Sequence, residues 1–263
     1  MIHYEFTNET IEVDGHLLHG IKAVEALPQH NVKKGDLGGF IEKEENLQDN
    51  AWVFRGAQVY GYASVKGNAE VFGDAKVYGH ASVGGKTKVY GKAKVYGNSM
   101  LAGSAQVLGS SQVYGYTEVF DSAHVSGDAR VFGNAMVAGN AQVYGKVKVY
   151  GNAYVTGNAH VYGDAKVGGS AHVTGEAQIQ GKAHLSTTED YIVFKNWWSS
   201  GRYFTWTRSN NKWKVGCFYG TGTGLVKKAY EDSEESGKRY KEIVDYVEHC
   251  VINREENRTT ERD

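Results

Sequence analysis

From Ile41 to Leu185, every sixth residue is Val, Ile or Leu, at all 25 positions. Two residues before each, from Ala51 on, stands a small or β-branched residue, usually Ala. Two residues after each, from Gly61 to Gly181, stands Gly at 20 of 21 positions, with Asp121 the exception. The unit reads x-A-x-V-Y-G. Side chains alternate along a strand, so an inward Val turns both its neighbours outward. The Gly then takes the chain round a corner that needs positive φ.

Six residues are too few to enclose a packed interior, whereas three hexads, 18 residues, make a triangular coil. The residue after each aliphatic tests this. One interleaved series reads Phe54, Phe72, Tyr90, Leu108, Ser126, Tyr144, Tyr162. A second reads Tyr60, Tyr78, Tyr96, Tyr114, Phe132, Tyr150. The third reads Lys66, Gly84, Ala102, Phe120, Ala138, Thr156, Thr174. Aromatics crowd two series and nearly avoid the third, as a period of 18 requires. The expected fold is mainly β: a three-faced parallel β-helix of about eight coils, each rising about 4.8 Å. With 34 Gly and a single Pro, the composition suits repeated tight turns better than a disordered linker.

The repeat resembles the hexapeptide-repeat, left-handed β-helix proteins, with an aliphatic residue at i and a small one at i+4. The resemblance, not the periodicity, implies the left hand, which runs against the usual right-handed crossover. The flanks narrow it. His19-Gly-Ile-Lys-Ala, Val32-Lys-Lys-Gly-Asp-Leu-Gly-Gly-Phe-Ile-Glu, Asn46-Leu and Asn50-Ala-Trp-Val resemble the YdcK-like branch, common in phages and prophages. Val215-Gly-Cys-Phe-Tyr-Gly and the helix after it resemble a C-terminal module of phage proteins of this type. The resemblance implies a phage-encoded protein.

An open solenoid exposes strand edges and apolar interior at both ends, so caps are expected. Residues 1–40 form the N-terminal cap, 41–186 the helix and 187–263 an α+β module. In the cap, Tyr4–Phe6, Thr10–Val13 and His16–Ala23 read as strands, with Asp14-Gly15 as a turn. In the module, Asp190–Trp198, Tyr203–Arg208 and Lys212–Tyr219 read as strands. Leu225–Glu231 and Gly237–Ile252 read as helices, with Ile243, Val244, Val247 and Val251 on one apolar face. The ending Asn253–Asp263 is polar and expected to fray.

The charges nearly balance, 29 Lys+Arg against 30 Asp+Glu, which argues against a duplex nucleic-acid partner. Two cysteines, Cys217 and Cys250, argue against a disulfide scaffold and read as buried thiols. No secretory leader and no membrane span is read, so the expected setting is the cytoplasm of a bacterial host, with no membrane partner.

The resemblance raises acyl-CoA-dependent acyl transfer, with a His general base at a cleft between subunits. Of the repeat histidines, His124, His160, His172 and His184 precede an inward aliphatic and so lie outward on flat faces; His80 is the fifth. The repeat carries no insertion to close over an acyl carrier. A metal site of the three-His kind lacks its ligand spacing: His16 and His19 are close but have no third partner. No cofactor or metal is expected.

The second face holds the candidate site. Gln58, Lys76, Lys94, Gln112, Arg130, Lys148 and Lys166 precede its aliphatics, and Tyr78, Tyr96, Tyr114, Phe132 and Tyr150 follow them. Like charges about 5 Å apart in water repel by about 1 kcal/mol per pair. Three explanations fit. Asp74, Asp128 and Asp164 can neutralise the band locally, where they alternate with Lys92, Lys146 and Lys182. The band can face an anionic, ring-bearing ligand, with phosphates on Lys and base on Tyr. Or it can be a subunit interface. In the module, aromatic residues from Trp197 to Tyr219 make either a small core or a pocket anchored by Arg202, Trp206 and Arg208. Gly220-Thr-Gly-Thr-Gly before a helix can cradle phosphate, or Thr223 can simply cap the helix. The first reading is a non-enzymatic oligomeric binding protein, a trimer favoured, that captures a host nucleotide-like signal or a host protein as a host-defence antagonist.

Overall fold

The computed structural model describes residues 2–252; the Asn253–Asp263 ending lies outside them. The chain forms two compact units, Met1–Glu189 and Asp190–Asp263.

The first unit is a left-handed parallel β-solenoid of about eight stacked coils, of the hexapeptide-repeat type, preceded by a β region. Each coil contributes one short strand to each of three sheets. Strands 18 residues apart pair in parallel and in register: Lys94 lies opposite Lys76, Arg130 opposite Gln112, and Lys148 opposite Arg130. The aliphatic column from Ile41 to Leu185 is buried, nearly all of it at 0% exposure, with the alanines two residues before. Ser or Thr replaces Ala at four inward positions; at Thr87, Ser99 and Ser111 the hydroxyl turns back on a nearby carbonyl, whereas Thr117 Oγ1 is buried with no partner among the described residues. Ser99 Oγ donates to Tyr96 O at 3.0 Å, and Ser111 Oγ to Leu108 O at 2.8 Å. That keeps a polar group tolerable at an inward position.

The N-terminal strands extend the sheet of the basic face. Tyr4–Val13 and His16–Ala23 form a hairpin; Leu37–Ile41 pairs antiparallel with the latter and parallel with Gln58–Val59. Tyr4–Val13 is one strand rather than two, with its register shifted between Phe6 and Thr10. Side chains fasten this region to the first coils. His3 Nε2 lies 2.9 Å from Ala51 O, and buried Asn46 donates to Ala63 O at 2.8 Å. His30 meets Glu70 Oε1 at 2.9 Å and Asn50 O at 2.6 Å.

The second unit is α+β. Tyr191–Lys195, Tyr203–Thr207, Lys212–Val215 and Phe218–Gly220 form an antiparallel meander. The single strand expected over Lys212–Tyr219 is a hairpin, because Gly216 turns the chain at φ +51°. Helix α1 (Gly222–Asp232) and helix α2 (Glu234–Tyr246) follow, then a π-helical turn at Val247–Ile252. Thr221, not Thr223, caps α1: its Oγ1 accepts from Gly224 N at 3.2 Å. Phe204, Trp206, Trp213, Leu225, Tyr240, Val244 and Val247 make the core. Among the described residues no helix is long and apolar enough to cross a membrane.

Candidate functional site

The in-register coils turn each sequence series on the second face into a physical column. Tyr60, Tyr78, Tyr96, Tyr114, Phe132 and Tyr150 stack continuously, with centroids 4.9–5.4 Å apart and planes within 12°. The spacing is the strand spacing, so the backbone dictates it. Both ends are held. Tyr60 Oη donates to Asp14 Oδ2 at 2.8 Å. The Tyr150 ring lies over Gly168, where a Cβ would collide with it, and its hydroxyl lies 3.1 Å from His184 Nε2. The ring faces are therefore occupied by one another, and edges and hydroxyls face outward. Burial raises the phenols of Tyr78 and Tyr96 above their ordinary value, so both keep their protons at neutral pH. A base stacked on these tyrosines would have to part a closed column.

Beside the rings runs the cation column of Lys76, Lys94, Arg130, Lys148 and Lys166, all exposed except half-buried Lys76. The corner aspartates make no direct ion pair with this column, although Asp128 shares a groove with Arg130 and Lys148. Among the described residues none of these five cations lies within 4.0 Å of a carboxylate. The aspartates stand at the corner and the cations on the flat strand, and exposed pairs gain too little to draw the chains together. A groove of about 420 Å³ opens on this face, lined by Ser110, Gln112, Asp128, Arg130, Lys146 and Lys148. It brings together Arg130 and Lys148. Lys76 and Lys94 continue the column outside the groove. Lys146, Asp128 and Ser110 join from the corner column; their place two residues before each strand, repeated at 18, is the signal that marks them.

The other two faces differ. The face of Trp52, Glu70, Lys88, Gln106, His124, Gln142, His160 and Gln178 carries both outward histidines of the acyl-transfer alternative. His124 and His160 each pair with Gln142, one coil between them. Burial lowers the His124 ring below its ordinary value, so it is neutral at physiological pH. The third face, from Ser64 to His172, carries Ser82, Met100, Met136 and Tyr154 on its strands.

In the second unit the three nominated residues separate. Trp206 is 1% exposed in the core and donates from Nε1 to Asn211 Oδ1 at 2.8 Å. Arg208 lies 6.0 Å from its ring centroid. Arg202 is exposed and lines a cleft whose lining includes neither Trp206 nor Arg208. Cys217 is exposed and unbridged, not buried as expected, because it sits in the turn of the hairpin that the sequence reading took for one strand. The side chain of Cys250 lies outside the described ones. Among the described residues no three of His, Cys, Asp and Glu gather as metal ligands would.

Fold and face together describe a hexapeptide-repeat-type β-solenoid with a cationic, aromatic-edged surface. No family model and no curated protein matches the chain.

Proposed function

We propose that this protein is a non-enzymatic, oligomeric binding protein that captures an anionic, nucleotide-like ligand on its basic face. The observation that carries this is the row of cations without carboxylate partners beside a groove. Lys76 and Lys94, and, beyond the neutral rung of Gln112, also Arg130, Lys148 and Lys166, are held by the backbone at about 4.8 Å per coil, and a ligand phosphate relieves their repulsion. Arg130, Lys146 and Lys148 hold phosphate oxygens; Arg130 offers a planar fork suited to them. The ring edges and hydroxyls of Tyr96, Tyr114 and Tyr150 lie alongside for the ligand's heterocycle. The likeness of the flanks to the YdcK-like branch supports a phage or prophage origin and a bacterial cytoplasm as the setting. In that setting the ligand is a host signal and the protein an antagonist of host defence.

Calorimetric titration with ATP as the probe tests this. Wild type binds saturably, with affinity falling as salt rises, and Lys94→Glu with Lys148→Glu weakens it about tenfold or more without unfolding the coils. Equal affinity in the double variant removes the face from consideration. The neutral, half-buried His124 favours acyl transfer as a second reading, since a general base must be unprotonated. Acetyl-CoA turnover that is lost in His124→Ala or His160→Ala would put that reading first.

A further inference from the structure

The second unit holds an open cleft of about 500 Å³, bounded by the turn after Tyr191–Lys195, the Lys212–Gly220 hairpin and both helices. That is within the range of small-molecule sites, roughly 300–1,000 Å³. Its apolar surface comes from Val215, Phe218, Leu225 and Ala229. Its polar wall is built on Asn196, which is 2% exposed and donates from Nδ2 to Tyr240 Oη at 3.1 Å and Ser199 Oγ at 2.9 Å. Tyr240 is 7% exposed, and its own O–H donates to no acceptor among the described residues. A buried phenol with an unused proton, lining a cavity, calls for an acceptor oxygen from outside the chain. Burial raises this phenol, outweighing the Asn196 hydrogen bond and the Arg202 charge, so the proton stays on it.

Arg202, Lys228 and Asp232 stand at the mouth. Lys228 is already paired with Glu231 at 2.9 Å. Arg202 has no ion pair among the described residues, and its charge reaches Tyr240. One free cation and one free O–H suit a single negative charge, and Asp232 disfavours a second. We propose that this cavity binds a small amphipathic carboxylate, its carboxylate on Arg202 and Tyr240 Oη and its apolar body on Phe218 and Leu225. The site is separate from the basic face.

Cys217 lines the same cavity and is exposed, so its thiol reports on occupancy. The full-length protein is alkylated with iodoacetamide, and peptide mass spectrometry follows Cys217 apart from Cys250. The expected result is saturable protection of Cys217 by 3-phenylpropionate and none by 3-phenylpropionamide. Tyr240→Phe, which keeps the ring, and Arg202→Gln each weaken that protection about tenfold. Lys94→Glu with Lys148→Glu leaves it unchanged, so failure at one site is read separately from failure at the other. The proposal is overturned if wild type shows no protection up to about 10 mM. Equal protection by the amide, or phenyl phosphate protecting better than the carboxylate, overturns it as well.

Discussion

At the level of single residues, the corner positions carry the strictest demand. Gly97 has φ +73°, and a Cβ there would lie 2.8 Å from Gly115 N in the coil above. A side chain is strained both by its own backbone and by the next coil. Asp121 holds a similar conformation at φ +58° without being glycine. Its Oδ2 accepts from Gly139 N of the next coil at 3.1 Å, and Asp is among the few residues other than Gly that visit the left-handed region. Gly97→Ala is therefore expected to cost about 1–3 kcal/mol, while Asp121→Gly stays within about 0.5 kcal/mol. Urea midpoints for the two variants check this; a harmless Gly97→Ala would refute tight stacking at this corner. The glycine period made these corners legible in the sequence. That Asp121 breaks the glycine pattern was legible too, but its bond to Gly139 was not.

At the level of elements, the N-terminal cap shows how a non-repeating segment is fixed to a repeating one. Two titratable groups, buried His3 and part-buried Glu70, help fasten it. Burial by itself would raise the Glu70 carboxyl, but hydrogen bonds from His30 and Lys88, and their charges, outweigh it and hold the group below its ordinary value. Burial lowers the His3 ring, against a weaker opposing bond to Ala51. Both shifts favour the cap at neutral pH and weaken it in acid. The unfolded His3 takes up a proton more readily than the folded one, so stability falls as pH drops below about 6.5. Glu70 stabilises fully above its unfolded value of about 4.5, and that contribution is lost as pH falls through its depressed folded value. Hydrogen exchange at the amides of the first coils should therefore accelerate in two stages. His3→Gln should abolish the upper stage and Glu70→Gln the lower; a flat profile in wild type would refute the linkage. The strands of the cap were legible from alternation, but these anchors were not, because they join residues 20 to 48 apart outside any period. In the second unit the same limit split Lys212–Tyr219 in two and moved the helix cap from Thr223 to Thr221.

Across the whole molecule, the solenoid is a one-dimensional stack in which each coil touches only its neighbours. Val113 is 0% exposed, between Val95 and Val131 in the inward column. Val113→Asp places a charge with no partner among aliphatics and is expected to cost about 4 kcal/mol or more. The damage should be local: exchange protection lost around coils 95, 113 and 131 and retained at the ends. Uniform loss along the chain would show instead that the solenoid unfolds as a single cooperative block.

The 25 aliphatic positions, together with the 18-residue recurrence of the aromatics after them, determined the coil, its three faces and the cation and aromatic columns. In a parallel in-register stack, a fixed step in sequence is a fixed step in space, so the period carries the third dimension with it. Only the tertiary structure decided what the columns do once formed: the tyrosine faces close on one another, the aspartates stop short of the cations, and a groove opens beside Arg130. Those outcomes depend on how side chains turn and on whether a short-range attraction outweighs solvation and chain entropy. The strands and helices of the second unit were legible in the sequence, but its cavity was not. Its cavity gathers Asn196, Arg202, Cys217 and Tyr240 from a turn, two strand ends and a helix, and no spacing in the sequence relates them.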